Sequence, residues 1–282
     1  MAGACTPTAS ASADASATIA VILKWMPTLK ATPAAPLTCG KVCSLGSGFQ
    51  VINQDYATGG LLVHAGAGIV EPTLPNYITL PMLAADQAKV SDDDSLKVLS
   101  DADLSCAKSK VFESYFGSTI AEFASGPETL TVSKCSGAVD CDASLDAAYA
   151  AGWRSFYLPQ GYRRQSGTAL GSITDPVLIV SPFAVNTPDL SPLPGATPAI
   201  FGLVFINAED ATVSSSLDVR GAVISCGKFS STGNGRLEYD PQVLARIRRN
   251  SGRMVRVPGS WTDLCKLSTS TPPVLHCPDS SP

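Results

Sequence analysis

Val177-Leu178-Ile179-Val180-Ser181, Leu203-Val204-Phe205-Ile206-Asn207 and Ala222-Val223-Ile224-Ser225-Cys226 are three short apolar runs, each closed by small or polar residues, between Pro176 and Asp240. The second and third each follow a glycine, Gly202 and Gly221. Each then enters a polar half-turn, Asn207-Ala208-Glu209-Asp210 against Cys226-Gly227-Lys228-Phe229, at an offset of 19 residues throughout. Apolar runs recurring about every 20 residues between glycine and polar corners read as stacked rungs of a β-solenoid, each rung hiding the face its neighbour exposes. Ordinary sheet strands that share a spacing are the competing reading. Three runs meet the minimum of about three repeats for a stable stack. The expected fold is therefore mainly β: a short β-solenoid-like stack of rungs with one or two flanking helices and long surface loops.

Downstream, Gly233-Asn234-Gly235 turns the chain into Arg236-Leu237-Glu238-Tyr239, and Asp240-Pro241 opens a helix, because Asp is a favoured N-cap and Pro a favoured first helical residue. Val243, Leu244 and Ile247 share one face. Arg246, Arg248 and Arg249 fall toward the end, where cations suit the helix dipole. Tyr239-Asp240-Pro241-Gln242-Val243-Leu244, this Arg-rich helix and then Val257-Pro258-Gly259-Ser260-Trp261-Thr262-Asp263 together resemble the carboxyl end of the PilX-like pilus assembly proteins, minor pilins of bacterial type IV pili. Phe112-Glu113-Ser114-Tyr115-Phe116-Gly117 and the pair Cys135 and Cys141 stand upstream where that family has them. The resemblance spans residues 108 to 263, and weakly 49 to 80. Tyr239, Asp240, Pro241, Pro258, Gly259, Ser260 and Trp261 form its structural signature.

That resemblance implies a non-enzymatic structural component of a type IV pilus, a minor pilin that supports assembly and priming at the fibre tip, without a cofactor. Other minor pilins and the major pilin would be its partners. It would sit at the periplasmic face of the inner membrane before assembly and be extracellular in the pilus, where adhesion and motility follow from the fibre. Its only tie to the membrane would be a long hydrophobic amino-terminal helix, absent from this chain. Within the chain, the apolar block Ile19 to Met26 is eight residues interrupted by Lys24, against about 20 needed to span a bilayer. No basic region precedes it as in a secretory signal.

Composition points the same way. The 282 residues suffice for one large or two modest domains, and a net charge of −4 argues against non-specific affinity for nucleic acid. Charged residues make up 16%, below the usual quarter or so. Nine cysteines lack histidine partners at zinc spacing, so an oxidising compartment is expected. Cys39 with Cys43, Cys135 with Cys141, and Cys265 with Cys277 are the local disulfide candidates, with buried free thiols as the alternative. The odd count leaves at least one of Cys5, Cys106 and Cys226 free or paired outside the chain.

Four segments are expected. Residues 1–48 are a lead-in, a strand from Thr18 to Trp25 and a Cys/Pro-rich loop from Thr32 to Gly48. Residues 49–175 open on extended structure at Phe49-Gln50-Val51-Ile52-Asn53 and hold a first rung, with Gly59-Gly60-Leu61-Leu62-Val63-His64-Ala65-Gly66 outlined like the later ones, then an irregular segment over 71–107 and amphipathic helices. The clearest helix is 108–124, where Val111, Phe112, Tyr115, Phe116, Ile120 and Phe123 share one side; it should lie on the solenoid's flank or end. A short strand at Leu130-Thr131-Val132, a helix from Ala143 to Ala151 and a half-buried strand at Trp153 to Leu158 follow. Residues 176–263 carry the rungs, the Pro182 to Pro198 excursion, the capping helix and Val257 to Trp261. Pro258-Gly259 should carry Trp261 back onto the open end of the last rung, over Leu237 and Tyr239. Residues 264–282 are a Pro-rich tail.

Enzymatic constellations are weak. Two histidines, His64 in a strand-like run and His276 in the tail, are all that could serve a nucleophile. Carboxylates are scarce on the rung strands. The acidic run Asp92-Asp93-Asp94, with Asp101 and Asp103, lacks the glycine and terminal glutamate of a calcium loop and reads as solvated. Gly46-Ser47-Gly48 lacks the lysine and helix of a phosphate loop. Arg246, Arg248, Arg249, Arg253 and Arg256 are the one concentration of like charge: a solvated helix end, or a patch docking an acidic neighbour or, less favoured, DNA. The alternative functions are a secreted β-helix protein that binds or cleaves polysaccharide, and a tip adhesin module.

Overall fold

The computed structural model describes residues 19–71, 75–97, 106, 110–133, 142–163, 168–182, 185–186, 199–213, 216–257, 262–263, 266–267 and 275–276. The amino-terminal strands are β1 (Ile19–Ala20), β2 (Leu23–Pro27), β3 (Leu37–Cys39), β4 (Val42–Leu45), β5 (Phe49–Ile52), β6 (Val63–Ala65), β7 (Gly68–Val70), β8 (Asn76–Ile78) and β9 (Lys89–Val90). Helices α1 (Asp94–Lys97), α2 (Lys110–Phe116) and α3 (Ile120–Ser125) follow, then β10 (Thr129–Thr131) and α4 (Asp142–Ala150). Next come β11 (Ser155–Tyr157), β12 (Tyr162–Arg163), β13 (Val177–Ser181), β14 (Val185–Asn186), β15 (Ile200–Ile206), β16 (Asp210–Val213), β17 (Ser216–Ser225), β18 (Lys228–Ser231) and β19 (Asn234–Tyr239). Helix α5 (Pro241–Asn250) leads to β20 (Gly252–Arg256), β21 (Thr262–Asp263), β22 (Lys266–Leu267) and β23 (Leu275–His276). Strand exceeds helix, so the fold is mainly β. Two units divide the chain: Met1–Met26 with Arg253–Pro282, and Pro27–Gly252.

In the larger unit, β10, β11, β13, β15, β17, β19, β5 and β8 lie side by side in that order, all parallel. A second parallel sheet runs β16, β18, β4, β7. Parallel neighbours require a crossover, and here the other sheet supplies it: the chain passes from β15 through β16 to β17, and through β18 to β19. Gly202 faces Gly221, Val204 faces Val223 and Ile206 faces Ser225, which is the 19-residue offset. That offset is not kept throughout. It falls to 18 where Asp210 faces Lys228, because Asn207-Ala208-Glu209 join β15 to β16 while Cys226-Gly227 alone join β17 to β18. The tighter corner needs glycine, since a Cβ on Gly227 would lie 2.3 Å from the Glu209 carbonyl oxygen.

The apolar runs are continuous because both of their faces are buried. Val177, Ile179, Val204, Ile206 and Val223 point inward and share one core with Val213, Phe229 and Leu45 of the second sheet. Leu178, Val180, Leu203, Phe205, Ala222 and Ile224 point the other way into a second core. Helices cover that face: Val111, Phe112 and Phe116 of α2, Phe123 of α3, and Val243, Leu244 and Ile247 of α5. Phe112 and Phe116 stack at 4.1 Å, and Phe112 meets the Phe205 ring edge-on at 4.9 Å. The helix expected over 108–124 is thus two helices with one apolar side. Gly117, at φ +66, ends the first, and Thr119 with Glu122 forms a capping box that starts the second.

The amino-terminal half corrects the sequence reading most. Residues 32–48 are not loop alone, since they supply β3 and β4. Strand β3 pairs with β17 (Leu37 facing Val223), β4 with β18 (Cys43 facing Phe229) and β5 with β19 (Val51 facing Leu237). The edge of β19 that Trp261 was expected to cover is therefore already occupied by β5. Strand β6 pairs with β3 and β9 rather than with any strand after Pro176. Strands β3 and β4, three and four residues long in a run rich in Pro, Gly and Cys, carry too little alternation to be read alone. The Cys39–Cys43 disulfide, as expected, joins β3 to β4. A second bridge, Cys106–Cys226, ties residues 120 apart, so of the three cysteines left over in the sequence reading two pair with each other. Cys135, Cys141, Cys265, Cys277 and residues 258–261 lie outside the described residues.

In the smaller unit β1 pairs antiparallel with β21, and β22 with β23. A two-stranded ribbon joins β2 to β20.

Candidate functional site

Parallel pairing of β17 with β19 at an offset of 18 sets Asp218 beside Arg236 and Arg220 beside Glu238. Residues two apart on a strand share a face, so these four form a ladder of alternating sign. Arg236 binds Asp218 with both prongs, Nε to Oδ1 at 3.0 Å and a terminal nitrogen to Oδ2 at 3.2 Å. Both side chains are buried, and burial pushes the Asp218 carboxyl up despite its arginine. Two residues further along β17, Arg220 Nε donates to Asp240 Oδ2 at 2.8 Å and lies 3.5 Å from Glu238 Oε1. Asp240 Oδ1 meanwhile accepts from the Gln242 and Val243 amides, capping α5.

Beside this ladder lies a cavity of about 330 Å³ walled by Gln54, Asp55, Arg220, Glu238, Tyr239 and Gln242 among others. Tyr239 donates to the Pro33 carbonyl at 2.9 Å, and its phenol is pushed up to about 12 by burial first and then by Asp55 and Asp240. Amide and carboxylate groups of this kind suit hydrogen bonding to a neutral polyol. The arginine is engaged by carboxylates, so the wall offers no unpaired cation to an anion. No family model, curated protein or solved structure matches the chain.

A second cleft, about 400 Å³, is lined by Glu128, Trp153, Arg154, Asn250 and Ser251. Arg154 is held there from three sides: Asp175 Oδ1 accepts from its Nε at 2.5 Å, the Tyr149 carbonyl accepts from its terminal Nη1 at 2.6 Å, and the Tyr149 ring lies 4.0 Å from it. His64 pairs with Asp93 at 2.5 Å on half-buried positions. Ser95 first, then His64, hold the Asp93 carboxyl at about 2. The pair closes the loop before α1 onto β6 and sits beside no cavity described above. Asp92 adopts φ +61, and among the described residues no group of three or more His, Cys, Asp or Glu could hold a metal ion.

The arginines singled out in the sequence fall in both units. Arg246, Arg248 and Arg249 lie on α5, with Arg248 and Arg249 exposed; Arg253 and Arg256 are exposed on β20. Of the signature residues, Tyr239, Asp240 and Pro241 lie at the 330 Å³ cavity. The charge ladder was missed. Its signal was present: Asp218 and Arg220 recur 18 residues later as Arg236 and Glu238, with sign exchanged at each position.

Proposed function

We propose that the chain is a non-enzymatic, exported structural protein whose parallel strands form a short β-solenoid, acting as a minor pilin in type IV pilus assembly. The observation that carries this reading is the use made of the signature run. Asp240 caps α5 with one oxygen and takes Arg220 with the other, while Tyr239 reaches back to Pro33. The residues behind the resemblance are thus those that fix the closing helix to the sheet. Arg220 at one cleft and Arg154 at the other are likewise each engaged by a carboxylate, Asp240 and Asp175, which suits a rigid subunit. Two disulfides accord with export to an oxidising compartment. On this reading Arg248 and Arg249 dock an acidic surface of a neighbouring subunit. The test is deletion of the gene in its native host: pili counted by electron microscopy should fall sharply, and the chain should co-purify with sheared fibres. Normal piliation in the deletion strain, with no chain in the fibres, would sink the proposal.

The polar cavity favours a second reading, a module that binds polysaccharide. Saturable heat on titration with neutral oligosaccharides, lost in Glu238→Gln and Asp55→Asn, would select it over the first.

A further inference from the structure

The β2 and β20 ribbon exposes what folded chains usually hide. Ile22, just before β2, is 64% exposed, Leu23 54%, Trp25 40%, Met26 45% and, on the other strand, Met254 61%. Single exposed apolar residues are ordinary, but a contiguous group marks a binding surface. Successive strand residues point to opposite faces, so Leu23 and Trp25 emerge on one side of β2 and Met26 with Lys24 on the other. Both faces are therefore apolar and open. A protein groove covers one face of a ribbon; a lipid interface surrounds both.

Charge names the lipid. Lys24, Arg253 and Arg256 are exposed on the two strands, and none joins an ion pair among the described residues. No carboxylate occurs from Ala15 to Gln54 or from Pro241 to Thr262, although the whole chain carries −4. Cations on long stems beside an indole and aliphatic side chains match the boundary between anionic headgroups and acyl chains, where Trp prefers to sit and Lys or Arg reach outward. We propose that the β2 and β20 ribbon binds the surface of anionic bilayers, with Trp25, Ile22, Leu23 and Met26 inserted at the headgroup boundary and Lys24, Arg253 and Arg256 on the lipid phosphates. This contact is independent of the pilin reading and needs no spanning helix.

The full chain carrying Trp153→Phe and Trp261→Phe keeps Trp25 as its one indole. Mixed with vesicles of phosphatidylglycerol in phosphatidylcholine, its emission should shift to the blue and be quenched by brominated acyl chains; pure phosphatidylcholine should have far less effect. In flotation assays on the otherwise unaltered chain, Lys24→Gln/Arg253→Gln/Arg256→Gln should weaken binding about a hundredfold at low salt, three cations each contributing several-fold. Ile22→Ser/Leu23→Ser should weaken binding strongly while moving the thermal midpoint little, since both side chains are more than half exposed. Three results would overturn the proposal: no flotation with anionic vesicles, flotation with Trp25 unquenched, or burial of Trp25 by self-association or by an acidic protein without lipid.

Discussion

Replacing Gly221 by alanine tests the stacked parallel strands at their closest approach. Gly221 faces Gly202 in register, and a Cβ built on it would lie 2.0 Å from the Gly202 carbonyl oxygen. Its φ is +138, a conformation that side chains rarely adopt. Two costs follow. Backbone strain contributes about 1 to 3 kcal/mol. Moving the neighbouring strand to ordinary contact distance requires more than an ångström and weakens two or so ladder hydrogen bonds, each contributing about 1 kcal/mol net. Gly221→Ala should therefore lose about 3 to 5 kcal/mol, a large share of a typical folding free energy of about 5 to 15 kcal/mol. Two controls separate the costs. A Cβ on Gly202 would lie 2.0 Å from the Val177 carbonyl oxygen, but its φ is not positive, so Gly202→Ala reports sterics alone. Gly59 has φ +64 with nothing within 4 Å, so Gly59→Ala reports φ alone, at about 1 to 2 kcal/mol. Urea unfolding should rank the losses Gly221→Ala, then Gly202→Ala, then Gly59→Ala. If Gly221→Ala proved no worse than Gly59→Ala, the glycine ladder would not be a close contact and the register would be wrong.

Val204→Asp or Val223→Asp places a charge at a fully buried position between the sheets; without a partner it costs several kcal/mol, so a retained melting temperature would exclude the inner core described here. Breaking the Cys106–Cys226 bridge, which closes 120 residues, should cost about 4 to 5 kcal/mol by chain entropy, well above the loss from opening the four-residue Cys39–Cys43 bridge; equal shifts in thermal midpoint for Cys226→Ser and Cys43→Ser would refute the ordering. The Asp93 carboxyl is held at about 2 in the folded chain, against about 4 when unfolded. Its contribution is therefore complete above pH about 4 and vanishes as pH falls through about 2. Asp93→Asn should destabilise at neutral pH and not below pH about 2; midpoint curves that stay parallel down to that pH would contradict the assignment. Arg248→Gln/Arg249→Gln should move the midpoint little, the residues being exposed, yet reduce co-purification with pilus fibres; unaltered recovery would count against docking through α5.

Local patterning marks the strands whose two faces are both buried, because a fully buried strand must be apolar at every position: β13, β15 and β17 stand out, and Gly202 with Gly221 give the register of β15 against β17. It also determined α5, since Asp240-Pro241 carries its own start signal and Val243, Leu244 and Ile247 their own face. Tertiary structure alone decided what lies beside β19. Leu37 and Cys43 belong to strands too short to announce themselves; they join β17 and β18, and the extended run around Val51 joins β19, from far away in the chain. The same holds for Cys106 with Cys226 and for Arg220 between Glu238 and Asp240. Local pattern records what one segment must bury or cap, whereas a partner supplied by a distant segment leaves no periodicity in either one; only folding brings the two together.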